Sequence, residues 1–276
     1  MKRVTGKHQR GWQFLFYLAV LLCVAALGVI GLYGYGQYQA NEQYHGLRQL
    51  GEVPDKEAVE ILRKAVVTEG KTERDEGGEA VQKVDFKPLH QVNPEICAWI
   101  QIPDTQIDYP VLQSDTDDGF YLDHNFAGLA EISGSIYMER ANSSDFEDFM
   151  TVLYGHNMRN GSMFQNLHFF EDAGFFEEHP FAYIYKENHR LTYEIFAAYN
   201  SNNDHLLNAF DFSKKKNQRD YLRKVQQGIS MGQNSRKTTK VTEKDRILTL
   251  STCTGNRPEE RYLVQAVLKR DETTES

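Results

Sequence analysis

From Phe86 onward, short apolar and β-prone runs alternate with turn-forming residues. This pattern favours a mostly antiparallel barrel or sandwich over a doubly wound sheet, because no regular alternation of strands with helices accompanies it. The eight candidate strands cover residues 99–102, 107–112, 134–138, 151–156, 182–186, 190–199, 247–253 and 261–268. One helix interrupts them, with an apolar stripe formed by Tyr221, Leu222, Val225 and Ile229.

The N-terminal region contains a long apolar run, Trp12–Tyr33. At about 1.5 Å per residue in a helix, it is long enough to cross a hydrocarbon core of about 30 Å. A cleaved signal peptide is the alternative, although its apolar region would be shorter and its cleavage site would follow the run. Only basic charges precede the run, so we expect the N-terminus in the cytoplasm and the remainder outside the cell. These basic residues are Lys2, Arg3, Lys7 and Arg10.

Two further segments separate this run from the strands. Residues 54–67 carry apolar side chains on one helical face, which predicts an amphipathic helix with Pro54 near its first turn. Residues 68–83 are charged and nearly free of apolar residues, and we expect an exposed linker there. The predicted organisation is a cytoplasmic basic segment (1–11), a transmembrane anchor (12–36), an extracellular helical segment and linker (37–85), a β domain (86–270) and a C-terminal tail (271–276).

Charge and residue spacing exclude two classes of partner. The chain has a formal net charge of -8, and no block of Lys and Arg suggests a nucleic-acid groove, so nucleic acid is not an expected partner. The spacings typical of zinc sites and calcium-binding loops do not occur either. We therefore expect neither a metal nor another cofactor.

The three cysteines have different settings. Cys23 lies in the apolar run, which leaves Cys97 and Cys253 for the exported part of the chain. These two could form a disulfide bond. Cys97 precedes Trp99 within a candidate strand and is most simply a small buried apolar residue. Cys253 ends the strand at 247–253 and is the candidate nucleophile.

A cysteine nucleophile needs a proton-transfer partner and a group that stabilises an oxyanion. Arg261 opens the strand after Cys253, so pairing of the two strands would bring its permanent charge to the thiol; an ion pair with a nearby carboxylate is the alternative. Arg257 is a second candidate within the loop. His156 follows a strand in a Gly- and Asn-rich turn, where functional side chains are common, although a hydrogen-bonded structural histidine is also compatible. Solvated or hydrogen-bonded histidines are expected at His124, His168, His179, His189 and His205.

These residues resemble a known family. The runs "TLSTC", "RYLVQA" and "YGHN" together are similar to those of the sortases, membrane-anchored cysteine transpeptidases of Gram-positive bacterial surfaces. Residues 93–114, "GSIYM", "YGHNM" followed by "MFQNL", and the helix before the last strand pair resemble class B in particular. The resemblance extends from about residue 90 to residue 268.

The resemblance implies a closed eight-stranded β-barrel over 86–270, with N-terminal helices packed outside it and a helix before the last strand pair. It implies that Cys253 is the nucleophile, His156 the general acid/base and Arg261 the group that stabilises the oxyanion or the substrate carbonyl. The implied substrate-binding residues are Ser251, Asp118 and Thr252. Asp118 departs from the family, which often has Asn at that position.

The implied reaction cleaves a C-terminal sorting motif, commonly Asn-Pro-x-Thr in class B, at a Thr-containing bond. The product is held as a thioester and passes to an amine of a cell-wall peptide or of a pilin. Two other functions remain compatible with the sequence. One is a non-catalytic, membrane-tethered binding barrel in which Cys253 is structural, and the other is a purely hydrolytic cysteine peptidase.

Overall fold

The computed structural model describes residues 60, 64–67, 83–228, 232–255, 257 and 259–274. The predicted anchor (12–36) and most of the predicted N-terminal helix and linker lie outside these residues. Within the described ranges, no helix combines the length and apolarity needed to cross a bilayer. The predicted helix at 54–67 ends earlier than expected, since Val66–Val67 is a short strand paired with Lys83–Val84.

The described part of the chain contains eleven strands. In chain order they are β1 (Val66–Val67), β2 (Lys83–Val84), β3 (Ile96–Gln101), β4 (Asp108–Leu112), β5 (Ile136–Tyr137), β6 (Met150–Tyr154), β7 (Phe181–Lys186), β8 (His189–Asn202), β9 (Asn234–Ser235), β10 (Ile247–Cys253) and β11 (Glu260–Thr273). The α-helices are α1 (Phe86–Val92), α2 (Ala173–Glu178), α3 (Leu206–Ala209) and α4 (Lys215–Gln227), and the 3-10 helices are η1 (Phe120–Leu122) and η2 (Phe164–Glu171).

Eight of these strands close into a barrel in the order β11-β10-β6-β5-β4-β3-β7-β8, because β11 also pairs with β8. Two neighbouring pairs, β10 with β6 and β4 with β5, are parallel, and the other pairs in the barrel are antiparallel. The prediction of a mostly antiparallel barrel is confirmed. Closure leaves the strands of the barrel without an open edge.

Strand β10 is buried on both faces, and its apolar residues alternate with small buried hydroxyl residues, Thr249, Ser251 and Thr252. Leu248 and Leu250 belong to the larger core cluster, which also includes residues of every other barrel strand. From β6 this cluster takes Leu153, whereas Met150 and Val152 belong to a second cluster. Ile247 points to the other face and belongs to this second cluster, which includes Val225 of α4. Helix α4 therefore covers the outer face of β6, β10, β11 and β8. Cys253 is six positions after Ile247 in the same strand, so the two side chains lie on the same, outer face.

A buried polar network fixes α4 on the barrel. The side-chain amide of Gln265 on β11 donates to the Tyr221 hydroxyl of α4 at 2.7 Å and to the Thr249 hydroxyl of β10 at 2.9 Å. The hydroxyl of Tyr199 on β8 donates to the Gln265 carbonyl oxygen at 3.2 Å. One amide thus connects three strands and a helix, and buried groups of this kind are costly to leave unpaired.

The structure refines the element boundaries that the sequence predicts. Strand β10 has the predicted limits, while β8 and β11 continue past theirs, and β11 runs to Thr273, into the predicted tail. The predicted helix is present as α4, and Ile229 of its predicted stripe lies outside the described residues. Helix α1, with Asp85 as its N-cap, is the described helix that precedes the barrel.

Candidate active site

The ends of β10 and β11 bring a thiol and a guanidinium together. In the antiparallel register, Cys253 is directly opposite Arg261. Side chains at directly opposite positions have Cβ atoms about 4.5–5.5 Å apart. The two residues share the outer face of the barrel, because each lies an even number of positions from a residue of the outer cluster, Ile247 and Leu263 respectively.

His156 follows the end of β6, the parallel neighbour of β10. The Gly155 amide donates to the Ser251 carbonyl at 3.2 Å, which ties the base of the histidine turn to the cysteine strand. The His156 Nε2 lies 2.7 Å from the Leu122 carbonyl oxygen. A carbonyl oxygen only accepts, so Nε2 carries the proton, and a neutral ring then has its lone pair on Nδ1.

A cavity of about 600 Å³ connects these groups. His156, Cys253 and Arg261 line it, and so do Ser251 and Thr252. The structure therefore brings five of the six predicted site residues to one cavity. Their assigned catalytic and binding roles stay predictions.

The Arg261 guanidinium bonds to the backbone of the residue before it. Its Nη1 donates to the Glu260 carbonyl at 3.1 Å. The Glu260 carboxylate is bonded instead to Arg257, at 2.8 Å. Arg257, the second candidate, is exposed and does not line the cavity. The geometry thus favours Arg261 as the cation of this site.

The wall opposite the thiol contains ionisable and apolar groups. The Nε2 of His205, just before α3, lies 2.6 Å from the Glu139 carboxylate and 3.3 Å from the Tyr154 hydroxyl. Tyr137, also on this wall, has its pKa raised to about 12, chiefly by burial and further by the charge of Glu139. The tyrosine hydroxyls of this wall are therefore neutral hydrogen-bonding groups at physiological pH, and Leu206 supplies apolar surface.

Asp118 is not brought to the cavity. Its carboxylate accepts from the Arg140 backbone amide at 2.9 Å and from Arg140 Nε at 3.0 Å. These hydrogen bonds lower the pKa of Asp118. The carboxylate is thus paired with a residue 22 positions away in sequence, and its predicted contact with substrate stays a prediction.

The two described cysteines are free thiols with different surroundings. The Cys97 thiol donates to the Val111 carbonyl at 3.4 Å, and burial raises its pKa to about 12. Cys97 is partly buried and packs against the core, and its raised pKa disfavours the reactive thiolate. Among the described residues, no group of three or more His, Cys, Asp or Glu side chains is arranged to hold a metal ion.

Sequence reasoning missed the groups behind Cys253. The Asn157 amide donates to the Cys253 carbonyl at 2.8 Å, and His168 Nε2 lies 3.0 Å from the same oxygen. The sequence interpretation treated His168 as an ordinary polar histidine. The only sequence signal was the position of Asn157 directly after His156.

The chain is similar in sequence and in structure to known proteins. A family model described as "Sortase domain" matches residues 100–269. Sortase B of Listeria monocytogenes is 37% identical over 210 residues, which cover 74% of this chain and 81% of that protein. The crystal structure of Clostridium perfringens sortase B has a TM-score of 0.61 and 35% identity, and the alignment covers 67% of this chain and 99% of that one. A Staphylococcus aureus sortase B–substrate complex has a TM-score of 0.59 and 29% identity, with 67% of this chain and 84% of that one covered.

Proposed function

The chain belongs to the sortase B family of cysteine transpeptidases, and we propose that Cys253, His156 and Arg261 carry out its reaction on a C-terminal sorting motif of secreted proteins. The observation that carries this proposal is the register of β10 with β11. It sets Cys253 opposite Arg261 at a cavity that His156 also lines. Acyl transfer through a thioester needs a nucleophile, a proton-transfer group and an oxyanion stabiliser, and a thiol, an imidazole and a permanent cation can supply these three functions.

In the first half of the proposed reaction, the Cys253 thiol gives its proton to His156 and its sulfur bonds to the carbonyl carbon of the Thr-containing bond. Nδ1 is the nitrogen assigned to this transfer, because Nε2 already donates to Leu122. Negative charge develops on the carbonyl oxygen, where the Arg261 guanidinium stabilises it. The carbon–nitrogen bond then breaks, and the leaving amine takes the proton from His156.

In the second half, an acceptor amine attacks the thioester carbon and the carbon–sulfur bond breaks. His156 takes the proton that the amine loses and returns it to the Cys253 sulfur. The product is a new amide bond, and the enzyme regains its starting protonation state. Water in place of the amine would give hydrolysis, so the choice between transpeptidase and hydrolase products depends on the acceptor.

The proposed substrate is a peptide with a Thr-containing sorting motif, with Ser251 and Thr252 in contact with it. Similarity to a sortase B–substrate complex supports a motif peptide as ligand. The cavity volume and its mixed apolar and polar walls are compatible with a short peptide. The proposed acceptor is an amine of a cell-wall peptide or of a pilin.

We also propose that the protein is a single-pass membrane protein with a cytoplasmic N-terminus and an extracellular catalytic domain. This proposal rests on the apolar run Trp12–Tyr33 and the basic residues before it. Protease added to intact cells should remove the catalytic domain and spare an N-terminal tag. Survival of the catalytic domain would contradict this orientation.

Mass spectrometry of the full-length protein in detergent tests the reaction. The protein is incubated with peptides that carry Asn-Pro-x-Thr or Leu-Pro-x-Thr cores, with and without triglycine, and Cys253→Ala is the matched control. We expect a thioester adduct on Cys253 that is transferred to triglycine when the amine is present. An adduct that yields only the free acid would indicate a hydrolase, and no adduct with any peptide would refute the proposed substrate class.

A further inference from the structure

The backbone carbonyl of Cys253 is held by side chains from outside its own hairpin. Asn157 Nδ2 donates to the Cys253 oxygen at 2.8 Å, and His168 Nε2 lies 3.0 Å from that oxygen. The same Asn157 nitrogen is 3.0 Å from His168 Nε2. Three groups from the turn after β6, from η2 and from the end of β10 thus converge directly behind the nucleophile.

The donors and acceptors of this cluster form a continuous relay. The Glu171 carboxylate lies 2.7 Å from His168 Nδ1 and only accepts, so Nδ1 carries a proton. In a neutral ring, Nε2 then accepts one hydrogen of the Asn157 amide, while the other hydrogen goes to the Cys253 oxygen. His168 Nε2 and the Cys253 oxygen are both acceptors in this arrangement, so Asn157 is the side chain that holds the carbonyl, and His168 holds Asn157.

Packing holds the relay in place. The His168 ring stacks on the Tyr262 ring, with centroids 4.9 Å apart and planes 25° from parallel. Tyr262 is the residue after Arg261 and pairs with Thr252, the residue before Cys253. The histidine side chain is only 16% exposed, so water competes weakly for its hydrogen bonds.

The relay also constrains His156. On one side of this residue, the Gly155 amide bonds to the Ser251 carbonyl, and on the other side the Asn157 side chain bonds to the Cys253 carbonyl. His156 is therefore bracketed by two hydrogen bonds to the cysteine strand. The position of the imidazole relative to the thiol depends on both bonds.

We propose that Asn157 is a positioning residue that holds the Cys253 carbonyl and thereby aligns the Cys253 thiol with His156, and that His168, oriented by Glu171, positions Asn157. The proposal rests on the proposed function of this site. Misplacement of a reacting group by about 1 Å can cost roughly 100-fold in rate. Loss of the relay is therefore expected to lower kcat by roughly 10- to 100-fold, with little change in KM for the motif peptide.

The test compares variants that change the hydrogen bonds of the relay. His168→Phe keeps a ring against Tyr262 and removes both ring nitrogens, whereas His168→Gln retains an amide that can bond to Asn157 or to the Cys253 oxygen. Asn157→Asp places a carboxylate oxygen next to the Cys253 carbonyl oxygen, where the two repel. Glu171→Gln and Glu178→Gln are a matched exposed pair, one at the relay and one outside it.

The measurements on full-length protein are kcat and KM for the motif peptide, the rate of Cys253 alkylation by iodoacetamide, and Tm. We expect His168→Phe and Asn157→Asp to lower kcat and the alkylation rate, His168→Gln to recover much of both, and Glu171→Gln to lower both more than Glu178→Gln. Unchanged rates in the first two variants would overturn the proposal. So would losses that follow Tm across the series, or equal losses in His168→Gln and His168→Phe.

The alkylation rate separates this proposal from the proposed function. If the wild-type protein transfers no motif peptide, the proposed substrate is wrong. The rate of Cys253 alkylation by iodoacetamide can still be measured in every variant. Unequal alkylation of His168→Phe and His168→Gln at equal Tm would then support positioning of Cys253. Equal alkylation would refute it.

Discussion

One methyl group added at Gly134 tests whether the Leu122 carbonyl, which lies next to this glycine, orients the His156 ring. The φ of Gly134 is +56°, and a Cβ there would lie 2.5 Å from the Leu122 carbonyl oxygen and 2.6 Å from the Tyr121 carbonyl oxygen. The left-handed conformation costs a non-glycine residue about 1–2 kcal/mol, and overpacking adds about 1–3 kcal/mol. We therefore expect Gly134→Ala to lower the free energy of unfolding by about 2–5 kcal/mol.

Gly128 supplies the matched control. Its φ is +77°, but nothing lies within 4 Å of an added Cβ. Gly128→Ala should therefore show only the backbone cost of about 1–2 kcal/mol. Urea unfolding of both variants measures the difference, provided that the m-values agree. Equal destabilisation of the two variants would refute the close approach of Gly134 to the Leu122 backbone.

The same substitution should impair catalysis. The Leu122 carbonyl that the new methyl group displaces is the acceptor for His156 Nε2. We expect Gly134→Ala to lower kcat at a temperature where it is still folded, and Gly128→Ala to leave kcat near that of the wild type. Equal kcat values in the two folded variants would show that the Leu122 carbonyl does not orient the imidazole.

Three further predictions concern a buried amide, a buried thiol and the arginine of the cavity. Gln265→Leu should lower the free energy of unfolding in urea by about 2–4 kcal/mol, since it removes three buried hydrogen bonds, each worth about 0.5–1.5 kcal/mol. Tyr262→Phe removes a hydroxyl with no partner in the described structure and should not lower the free energy of unfolding. At mildly alkaline pH, iodoacetamide should spare Cys97, whose pKa is about 12, while it labels the thiol in the cavity, and peptide mapping that finds both labelled would contradict this assignment. Arg261→Lys should lower kcat/KM for the motif peptide by roughly 100-fold, because an ammonium group lacks the planar donor fork of the guanidinium. Arg257→Lys, the control, should have no effect. Full activity of Arg261→Lys would refute the role of the guanidinium.

The sequence predicts the barrel well because its strands are short and bounded by turn residues. The limits of β10 match the prediction, since a run of apolar and β-prone residues ends at the polar loop after Cys253. Helix α1 was not predicted because its pattern is only 7 residues long and contains Pro88, which its position in the first turn tolerates. Closure of β11 onto β8 is a long-range pairing that no local pattern encodes.

The same distinction applies to the site. Cys253, His156 and Arg261 are recognisable as polar or reactive residues at strand ends, so local sequence suffices to select them. The pairing of Asp118 with Arg140 and the relay through His168 depend on the approach of segments that are distant in sequence. Residue type and spacing carry no signal for such contacts, and for this reason His168 looked ordinary.

Barrel closure also orders the events of folding. During synthesis, β6 and β8 emerge before β10 and β11, and each has an unpaired edge until the last hairpin docks between them. Pairing across such long sequence separations is slow, because the loop-closure entropy must be overcome first. The thiol, the imidazole and the guanidinium come together only at this final step. The nascent enzyme is therefore inactive until its barrel closes, and the rate at which activity returns on refolding measures the rate of closure.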